Sequence, residues 1–175
     1  RQMCIRDRDN AAQLMIMSIR NGGKILWCGN GGSASDAQHL STELMGGMSD
    51  HDRKPIPSIS LTTDTSFLTA WSNDIDFESV FSRQIQGLGN SGDVLIGIST
   101  SGNSENIIQA AKVARNQGLN VVALTGKSGG ELAKLANIEV RIPHQGYSDR
   151  IQEMHIKVIH ILISQIEGNF NEKDL

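Results

Sequence analysis

The stretch KILWCGNGGSASDAQHLSTEL, residues 24–44, joins an apolar run to a glycine-rich loop and then to a segment with helical periodicity. The run KILWC at 24–28 predicts a buried strand, and the segment 34–46 predicts a helix. A strand, a tight loop and a helix in this order form the unit from which parallel sheets are built. The stretch therefore predicts an α/β fold.

The predicted helix after the glycines has one apolar face. Ala37, Leu40 and Leu44 follow the i, i+3, i+7 spacing of a stripe that packs on a core. Ser33 is predicted to cap the amino end of this helix, with Asp36 three residues on in a position like that of a capping box.

The alternation of apolar runs and helical segments continues along the chain. It predicts a three-layer α/β sandwich in which helices flank a five-stranded parallel sheet. The predicted strands are 24–28, 56–61, 93–99, 120–125 and 138–142, and the predicted helices are 9–20, 34–46, 76–87, 104–117, 129–135 and 147–167.

The length and composition bound the organisation and the class of partner. A chain of 175 residues with 38% apolar content suits one domain, which we expect over 9–170, with residues 1–8 as a disordered or non-native edge. A net charge of −3 argues against a nucleic-acid partner or an anionic membrane surface, since either normally needs a basic stripe. Small or uncharged partners are expected instead.

Cysteine content and hydropathy predict a cytoplasmic protein. Cys4 and Cys28 are too few for a disulfide framework, and neither belongs to a CxxC pair. No apolar stretch approaches the roughly 20 residues of a membrane span, and no signal-peptide pattern is present.

Two strand-to-helix junctions share a chemistry that suits phosphate. GNGGSAS (29–35) follows the first predicted strand and STSGNSEN (99–106) follows the third. Glycines allow close approach of the backbone, and the N–H groups at a helix start favour an anion. Both loops should lie at the carboxyl edge of the sheet, where ligands of open α/β sheets bind. The alternative is that such turns only connect strands to helices.

Two nucleotide motifs fit poorly. Gly29, Gly31 and Ala34 match a GxGxxA dinucleotide pattern, but the second strand does not end on the acidic residue that would hold a ribose. The GxxxxGK[ST] pattern of a P-loop is absent from the sequence.

His39 and Glu43 are four residues apart and share one face of their predicted helix. Such a pair can bind a divalent metal, and the glutamate can move a proton; a solvated His–Glu pair is the structural alternative. Gln152, His155 and His160 are polar groups in a last helix that is apolar around most of its circumference. That helix predicts a contact between copies of the chain.

The motifs together closely resemble the phosphoheptose isomerase family, within the larger group of sugar-isomerase (SIS) domains. The resemblance covers about residues 10–168, with the motifs in the same order. It is carried by CGNGGSASDAQHLSTEL, SNDIDFESVFSRQI, GDVLIGISTSGNSENII, VVALTGKSGGELA and RIQEMHIKVIHILI.

The resemblance implies a flavodoxin-like strand order and a cytoplasmic, zinc-binding homotetramer that converts sedoheptulose 7-phosphate into D-glycero-D-manno-heptose 7-phosphate. It implies metal ligands at His39, Glu43, Gln152 and His160. Because an aldose–ketose isomerase needs a base for the carbon proton and a second acid/base for the oxygens, we expect Glu43 and His160 in these two roles. The implied substrate-binding residues are Asn30, Gly31, Gly32, Glu43, Asn73, Asp74, Ser99, Thr100, Ser101, Ser104 and Gln152. For His155 we expect a structural role.

The spacing of Gln152 and His160 makes it difficult for both to bind the same metal ion. Gln152 and His160 lie eight residues apart, about 12 Å along a straight helix, so one metal reaches both only through extended side chains or from different chains. His39 and Glu43 are therefore the firmer ligands, and Glu43 stays open as ligand or base.

Three other functions are compatible with the same motifs. SIS relatives include a non-catalytic protein that binds the bacterial replication initiator, but such a protein would lose the acid/base residues that this chain retains at Glu43 and His160. A regulatory SIS domain would accompany a DNA-binding module, and this sequence has no helix-turn-helix segment or basic arm. An isomerase of another sugar phosphate is the third.

Overall fold

Within residues 5–170, which the computed structural model of the protein describes, five strands form one parallel sheet. The strands are β1 (Ile25–Gly29), β2 (Ser58–Ser60), β3 (Val94–Ser99), β4 (Asn120–Gly126) and β5 (Ile138–Ile142). The helices are α1 (Ile5–Arg20), α2 (Gly32–Gly46), α3 (Thr65–Asp74), α4 (Val80–Leu88), α5 (Glu105–Asn116), α6 (Leu132–Leu135) and α7 (Ser148–Glu167).

The strand order is β2-β1-β3-β4-β5, which confirms the flavodoxin-like order. All strands are parallel, but the chain is laid out from β1 to β2 toward one edge of the sheet and then from β3 to β5 toward the other. The connections that follow β1 and β3 therefore lead to opposite faces of the sheet and leave a crevice at the carboxyl ends of these two strands. Every residue of β1 and β3 is buried, because helices cover both faces. This explains why those strands are continuous apolar runs in the sequence.

Two hydrophobic cores lie on opposite faces of the sheet. Trp27 points into the core that α1, α2 and α7 cover, whereas its neighbour Leu26 points into the core under α4, α5 and α6. Successive strand residues alternate between faces, so one strand supplies both cores. The Trp27 indole N–H is satisfied inside its core by the Ser58 hydroxyl at 2.8 Å.

The amino end of α2 differs from the prediction. The helix starts at Gly32, and its N-cap is Gly31 at φ = 56°, with no side-chain cap. The Ser33 cap is therefore wrong. The turn closes earlier through the main chain, where Ser33 N–H donates to the Asn30 carbonyl at 3.0 Å, and the Ser33 side chain is buried.

Other boundaries move at the edges of elements. Helix α1 begins at Ile5, so residues 5–8 are helical and not a disordered edge; residues 1–4 lie outside the described part of the chain. Helix α3 was not predicted; none of its residues is fully buried, and its apolar side chains Leu68 and Trp71 pack only at the edge of a core. Its start is fixed locally by Asp64, whose carboxylate accepts the Phe67 N–H at 2.9 Å.

The last helix packs largely within its own protomer. The buried side chains of α7 are Ile151, His155, Val158, Ile159, Leu162, Ile163, Ile166 and Glu167. They meet α1, α2 and the sheet. The sequence had assigned this apolar surface to a subunit contact, and much of it is instead covered internally; the contact itself stays a prediction. No helix among residues 5–170 is long and apolar enough to cross a membrane.

His155 has the structural role expected for it. Its side chain is fully buried, and Nε2–H donates to the Thr125 carbonyl of β4 at 2.9 Å. Nδ1 has no hydrogen-bond partner within residues 5–170. Burial lowers the pKa of His155, because a second proton would place an unpaired charge in the core.

We expect Ile85→Ala in α4 to lower the free energy of unfolding by about 2–5 kcal/mol, because Ile85 is fully buried and its loss leaves a cavity. The matched variant Leu88→Ala, one turn on at a side chain that is 42% exposed, should cost less than about 1 kcal/mol. Urea unfolding measures both. Equal losses would contradict the assignment of this core.

We expect stability to fall as pH drops below about 6.5, the ordinary histidine pKa, because the unfolded chain then binds a proton that buried His155 refuses. The slope from this group is at most about 1.4 kcal/mol per pH unit. The free energy of unfolding is measured with urea at pH 7.5 and at pH 5.5. Its decrease between these two pH values should be smaller in His155→Gln than in wild type. His51→Gln, at an exposed position, should behave as wild type; a wild-type slope in His155→Gln would refute the assignment.

Candidate active site

The first loop of the site follows β1. Gly29 packs on the main chain of Ser33, where a Cβ atom would collide, so only glycine fits this turn. The Asn30 side chain exchanges two hydrogen bonds with Asn106, each 2.9 Å long. Asn106 is buried in the first turn of α5, which follows the other loop.

Asn106 was missed by sequence reasoning. Its only signal was a polar residue beside the apolar positions of a predicted helix. The reciprocal amide pair fixes the orientation of Asn30 and ties the two loops together. Cys28, which precedes the first loop, is fully buried, and burial raises the pKa of its thiol, so it does not supply a thiolate nucleophile.

The second loop follows β3 and presents hydroxyls at the amino end of α5. The Ser99 and Ser104 hydroxyls hydrogen-bond each other at 3.0 Å, and Gly102 N–H donates to the Ser99 hydroxyl at 3.2 Å. The Ser101 hydroxyl accepts the Asn103 N–H at 3.1 Å, and the Thr100 hydroxyl donates to that of Ser148 at 3.2 Å. Hydroxyls and N–H groups at a helix start suit a phosphate.

The loop between β4 and α6 braces this second loop. Leu132 N–H donates to the Gly102 carbonyl at 2.9 Å, and Glu131 N–H donates to the Asn103 side-chain oxygen at 3.0 Å. Gly102 at φ = 69° lies against Gly129 and Gly130, so that a Cβ would meet their main chain. The Thr-Gly-Lys junction, for which the sequence suggested no distinct role, opens this bracing loop.

A cluster of side chains joins α2 and α7, about two helical turns beyond the start of α2. His39 Nε2 lies 3.1 Å from His160 Nε2, with the rings edge to face, and 3.6 Å from Glu43 Oε1. The His39 and Glu43 side chains are 46% and 21% exposed, so a small ligand can reach them. The structure thus brings the predicted pair on α2 together with His160.

Asp36 belongs to the same cluster, although the sequence suggested only a capping position for it. Burial raises its carboxyl pKa, and the nearby His39 and His160 lower it. Its Oδ2 atom is buried and has no hydrogen-bond partner among the described residues. A carboxylate one turn before His39 adds negative charge next to both imidazoles.

The donor set of the cluster fits a zinc ion in part. Tetrahedral zinc with bonds of about 2.0–2.1 Å places ligand atoms about 3.3–3.4 Å apart. His39 Nε2 lies 3.1 Å from His160 Nε2, slightly less than this separation, and 3.6 Å from Glu43 Oε1, slightly more. Within residues 5–170 no group of three His, Cys, Asp or Glu side chains is already arranged as a complete metal site.

Gln152 lies apart from the imidazoles, at the first loop. A Cβ atom on Gly32 would lie 2.8 Å from Gln152 Nε2, so the amide covers the start of α2. The structure therefore places Gln152 with Gly31 and Gly32, two turns of α7 before His160.

Asn73 and Asp74 are not brought to the other predicted site residues. Both are exposed at the end of α3, and the Asn73 amide donates to Asp74 at 2.8 Å. No hydrogen bond or ion pair within residues 5–170 joins them to the two loops or to the His39 cluster.

Comparisons with known proteins agree with this geometry. The SIS domain family model matches residues 7–126. The phosphoheptose isomerase of Cytophaga hutchinsonii is 54% identical over 157 residues, which span 90% of this chain and 81% of that protein. The phosphoheptose isomerase structure from Neisseria gonorrhoeae has a TM-score of 0.87 at 46% identity, covering 94% of this chain and 86% of that chain.

A second solved structure agrees with the first. The phosphoheptose isomerase from Francisella tularensis has a TM-score of 0.90 at 39% identity, covering 95% of this chain and 88% of that chain. Matches of this identity over most of both chains show that the chain belongs to the phosphoheptose isomerase family of SIS-domain proteins.

Proposed function

We propose that the protein isomerises sedoheptulose 7-phosphate to D-glycero-D-manno-heptose 7-phosphate, the first step toward nucleotide-activated heptoses. The observation that carries the proposal is the His39, Glu43 and His160 cluster on α2 and α7, in a chain that also holds a preformed hydroxyl loop at the amino end of α5. An aldose–ketose isomerase needs both parts: acid/base groups at one end of the sugar and a grip on the phosphate at the other.

The serine loop is the proposed phosphate site. Ser99, Thr100, Ser101 and Ser104 present hydroxyls, and α5 adds N–H groups and the positive end of its dipole. The braces from the β4–α6 loop support this role, because a rigid loop loses little entropy when the anion binds.

The glycine loop is the proposed site for sugar hydroxyls. Asn30 is held by Asn106, Gly31 and Gly32 expose their main chain, and Gln152 lies against Gly32. The Asn30–Asn106 contact joins this loop to the serine loop, and α2 runs from it to His39 and Glu43, which supports a sugar chain bound along this side of the site.

Proton transfer follows from the ketose-to-aldose change. The Glu43 carboxylate takes the proton from C1 of the ketose and returns it to C2, passing through the enediol. His160 moves the second proton between the oxygens on C2 and C1 and opens the ring. Glu43 and His160 are both partly exposed, which supports this assignment because a substrate must be able to reach each of them to exchange a proton.

Zinc is the proposed cofactor, with His39, Glu43 and His160 as ligands. Gln152, which lies against Gly32 in this protomer, would complete the set only with an extended side chain or from a neighbouring copy. When bound, the zinc would act as a Lewis acid that stabilises negative charge on the substrate oxygens. A lone pair bound to a metal cannot accept a proton, so Glu43 would use its second oxygen, or act as base in a state where it is not a ligand.

A homotetramer in the cytoplasm completes the proposal. Helix α3 has no buried residue, and Ile75 and Phe77 beside it are 60% and 54% exposed. Exposed apolar groups of this kind indicate a contact surface. A subunit contact there would supply Asn73 and Asp74 to a neighbouring copy's substrate, which accounts for their isolation within the protomer.

Incubation of the purified protein with sedoheptulose 7-phosphate tests the function. We expect aldoheptose phosphate to form, and a chelator to slow its formation. Other ketose phosphates, offered in parallel, report the preferred chain length. No turnover, together with retention of a replication initiator protein on a column of this protein, would replace the enzyme with the binding function.

We expect Glu43→Gln to lower kcat by at least about 100-fold, because the amide cannot take the C1 proton. The matched control is Glu153→Gln, at an exposed glutamate of α7 that pairs with Arg150; this variant should leave kcat unchanged. Solvent-exchange of the C1 hydrogen, followed by NMR, separates carbon proton transfer from later steps. Wild-type activity in Glu43→Gln would remove it as the base.

A further inference from the structure

A buried ion pair joins the end of α7 to the loop that follows α2. Arg53 Nε donates to Glu167 Oε1 at 3.1 Å, and the two side chains are 1% and 6% exposed. The main-chain N–H groups of Met48 and Ser49 donate to the same carboxylate at 2.6 and 3.1 Å. One loop therefore supplies three donors to the Glu167 carboxylate.

The other nitrogens of the Arg53 guanidinium donate to two main-chain carbonyls, one of them in α2. Nη2 donates to the main-chain carbonyl of Glu43 at 2.8 Å, and Nη1 donates to the Lys54 carbonyl at 3.0 Å. The Glu43 carbonyl lies in the last turn of α2 and also accepts the N–H of the C-cap residue Gly47 at 2.9 Å. Arg53 thus adds a second donor at the carboxyl end of α2, on the residue proposed as base, while it holds the end of α7.

Stability alone is a poor reason for this arrangement. A buried ion pair costs desolvation that apolar side chains of similar volume avoid. Glu167 is the last residue of α7, where the negative end of the helix dipole opposes a carboxylate. A guanidinium, however, is a rigid planar fork, so its bonds fix direction as well as distance.

We propose that Arg53 and Glu167 are positioning residues that set the spacing between α2 and α7. His160 lies seven residues, two helical turns, before Glu167, on the same side of α7. Arg53 binds Glu43 directly through its carbonyl. The pair therefore holds His39 and Glu43 against His160 at the separations that zinc and proton transfer require. The effect on catalysis rests on the proposed function; the spacing of the imidazoles does not.

Arg53→Lys is the sharpest variant. Lysine keeps the charge opposite Glu167, but a single ammonium cannot reproduce the fork between Glu167, Glu43 and Lys54. We expect Co²⁺, used as a visible probe of the zinc site, to bind about tenfold more weakly. We expect kcat for sedoheptulose 7-phosphate to fall about tenfold, with KM changed less than about twofold. Glu167→Gln should shift both quantities in the same direction.

A second ion pair provides the control for general loss of stability. Lys24 pairs with Asp93, which is 2% exposed and accepts the N–H groups of Lys24 and Asn90 at 2.9 and 2.8 Å. This pair lies at the amino edge of the sheet, opposite the site. Asp93→Asn should lower the urea midpoint, yet leave Co²⁺ affinity, kcat and KM as in wild type.

The positioning of the imidazoles can be tested without metal or substrate, and therefore independently of the proposed isomerase function. In chelator-treated protein labelled at histidine Cε1, the NMR signals of His39 and His160, assigned by their Gln variants, should shift in Arg53→Lys. The His155 signal should stay in place. None of the three should shift in Asp93→Asn. Absence of sugar turnover by wild type would remove the proposed function and leave this test intact.

Arg53→Lys with wild-type histidine signals, Co²⁺ affinity and kcat would overturn the proposal and leave the pair a purely structural contact. If the single variants do not fold, the apolar double variant Arg53→Met with Glu167→Leu decides between the two. A folded double variant with wild-type histidine signals would also overturn the proposal, whereas displaced signals of His39 and His160 would support it.

Discussion

The packing of α7 across α2, on one face of the sheet, is the contact on which the site depends. Both helices bury apolar stripes in one core, through Leu40 and Leu44 from α2 and Val158 and Leu162 from α7. Burial of this kind is non-directional, so it brings the helices together without fixing their relative shift. The polar contacts at the two ends of the interface supply the direction. Gln152 meets Gly32 at one end, and Glu167 meets Arg53 at the other.

The carboxyl edge of the sheet carries the glycine loop and the serine loop of the site, and contacts between these loops hold them in place. Strand order places the glycine and serine loops on either side of the crevice between β1 and β3. The Asn30–Asn106 pair joins them, and the β4–α6 loop supports the serine loop from behind. Preorganised hydroxyls and amides can therefore meet a sugar phosphate without first ordering a flexible segment.

The elements of the sheet were predictable because they are buried on both faces. Runs such as DVLIGIS at 93–99 carry a strong apolar signal, and β3 is where the sequence placed it. Helix α3 escaped prediction because its apolar side chains are only partly buried at the edge of a core, and its start is set locally by the Asp64 cap. The start of α2 was misplaced because Gly31 closes the turn through the main chain. The pairing of His39 with Glu43 followed from helical spacing alone.

The sequence by itself determined the alternating α/β pattern and the glycine- and serine-rich loops, since both are encoded in local spacing along the chain, and its motifs carried the resemblance to the family. Only the tertiary structure decided that His160 meets His39 from 121 positions away, that Asp36 faces both imidazoles, and that Arg53 bridges Glu43 and Glu167. These contacts depend on how α7 is placed on α2. The shared core, to which residues distant in sequence contribute together, brings the two helices into contact, and the polar contacts at its two ends fix their relative shift.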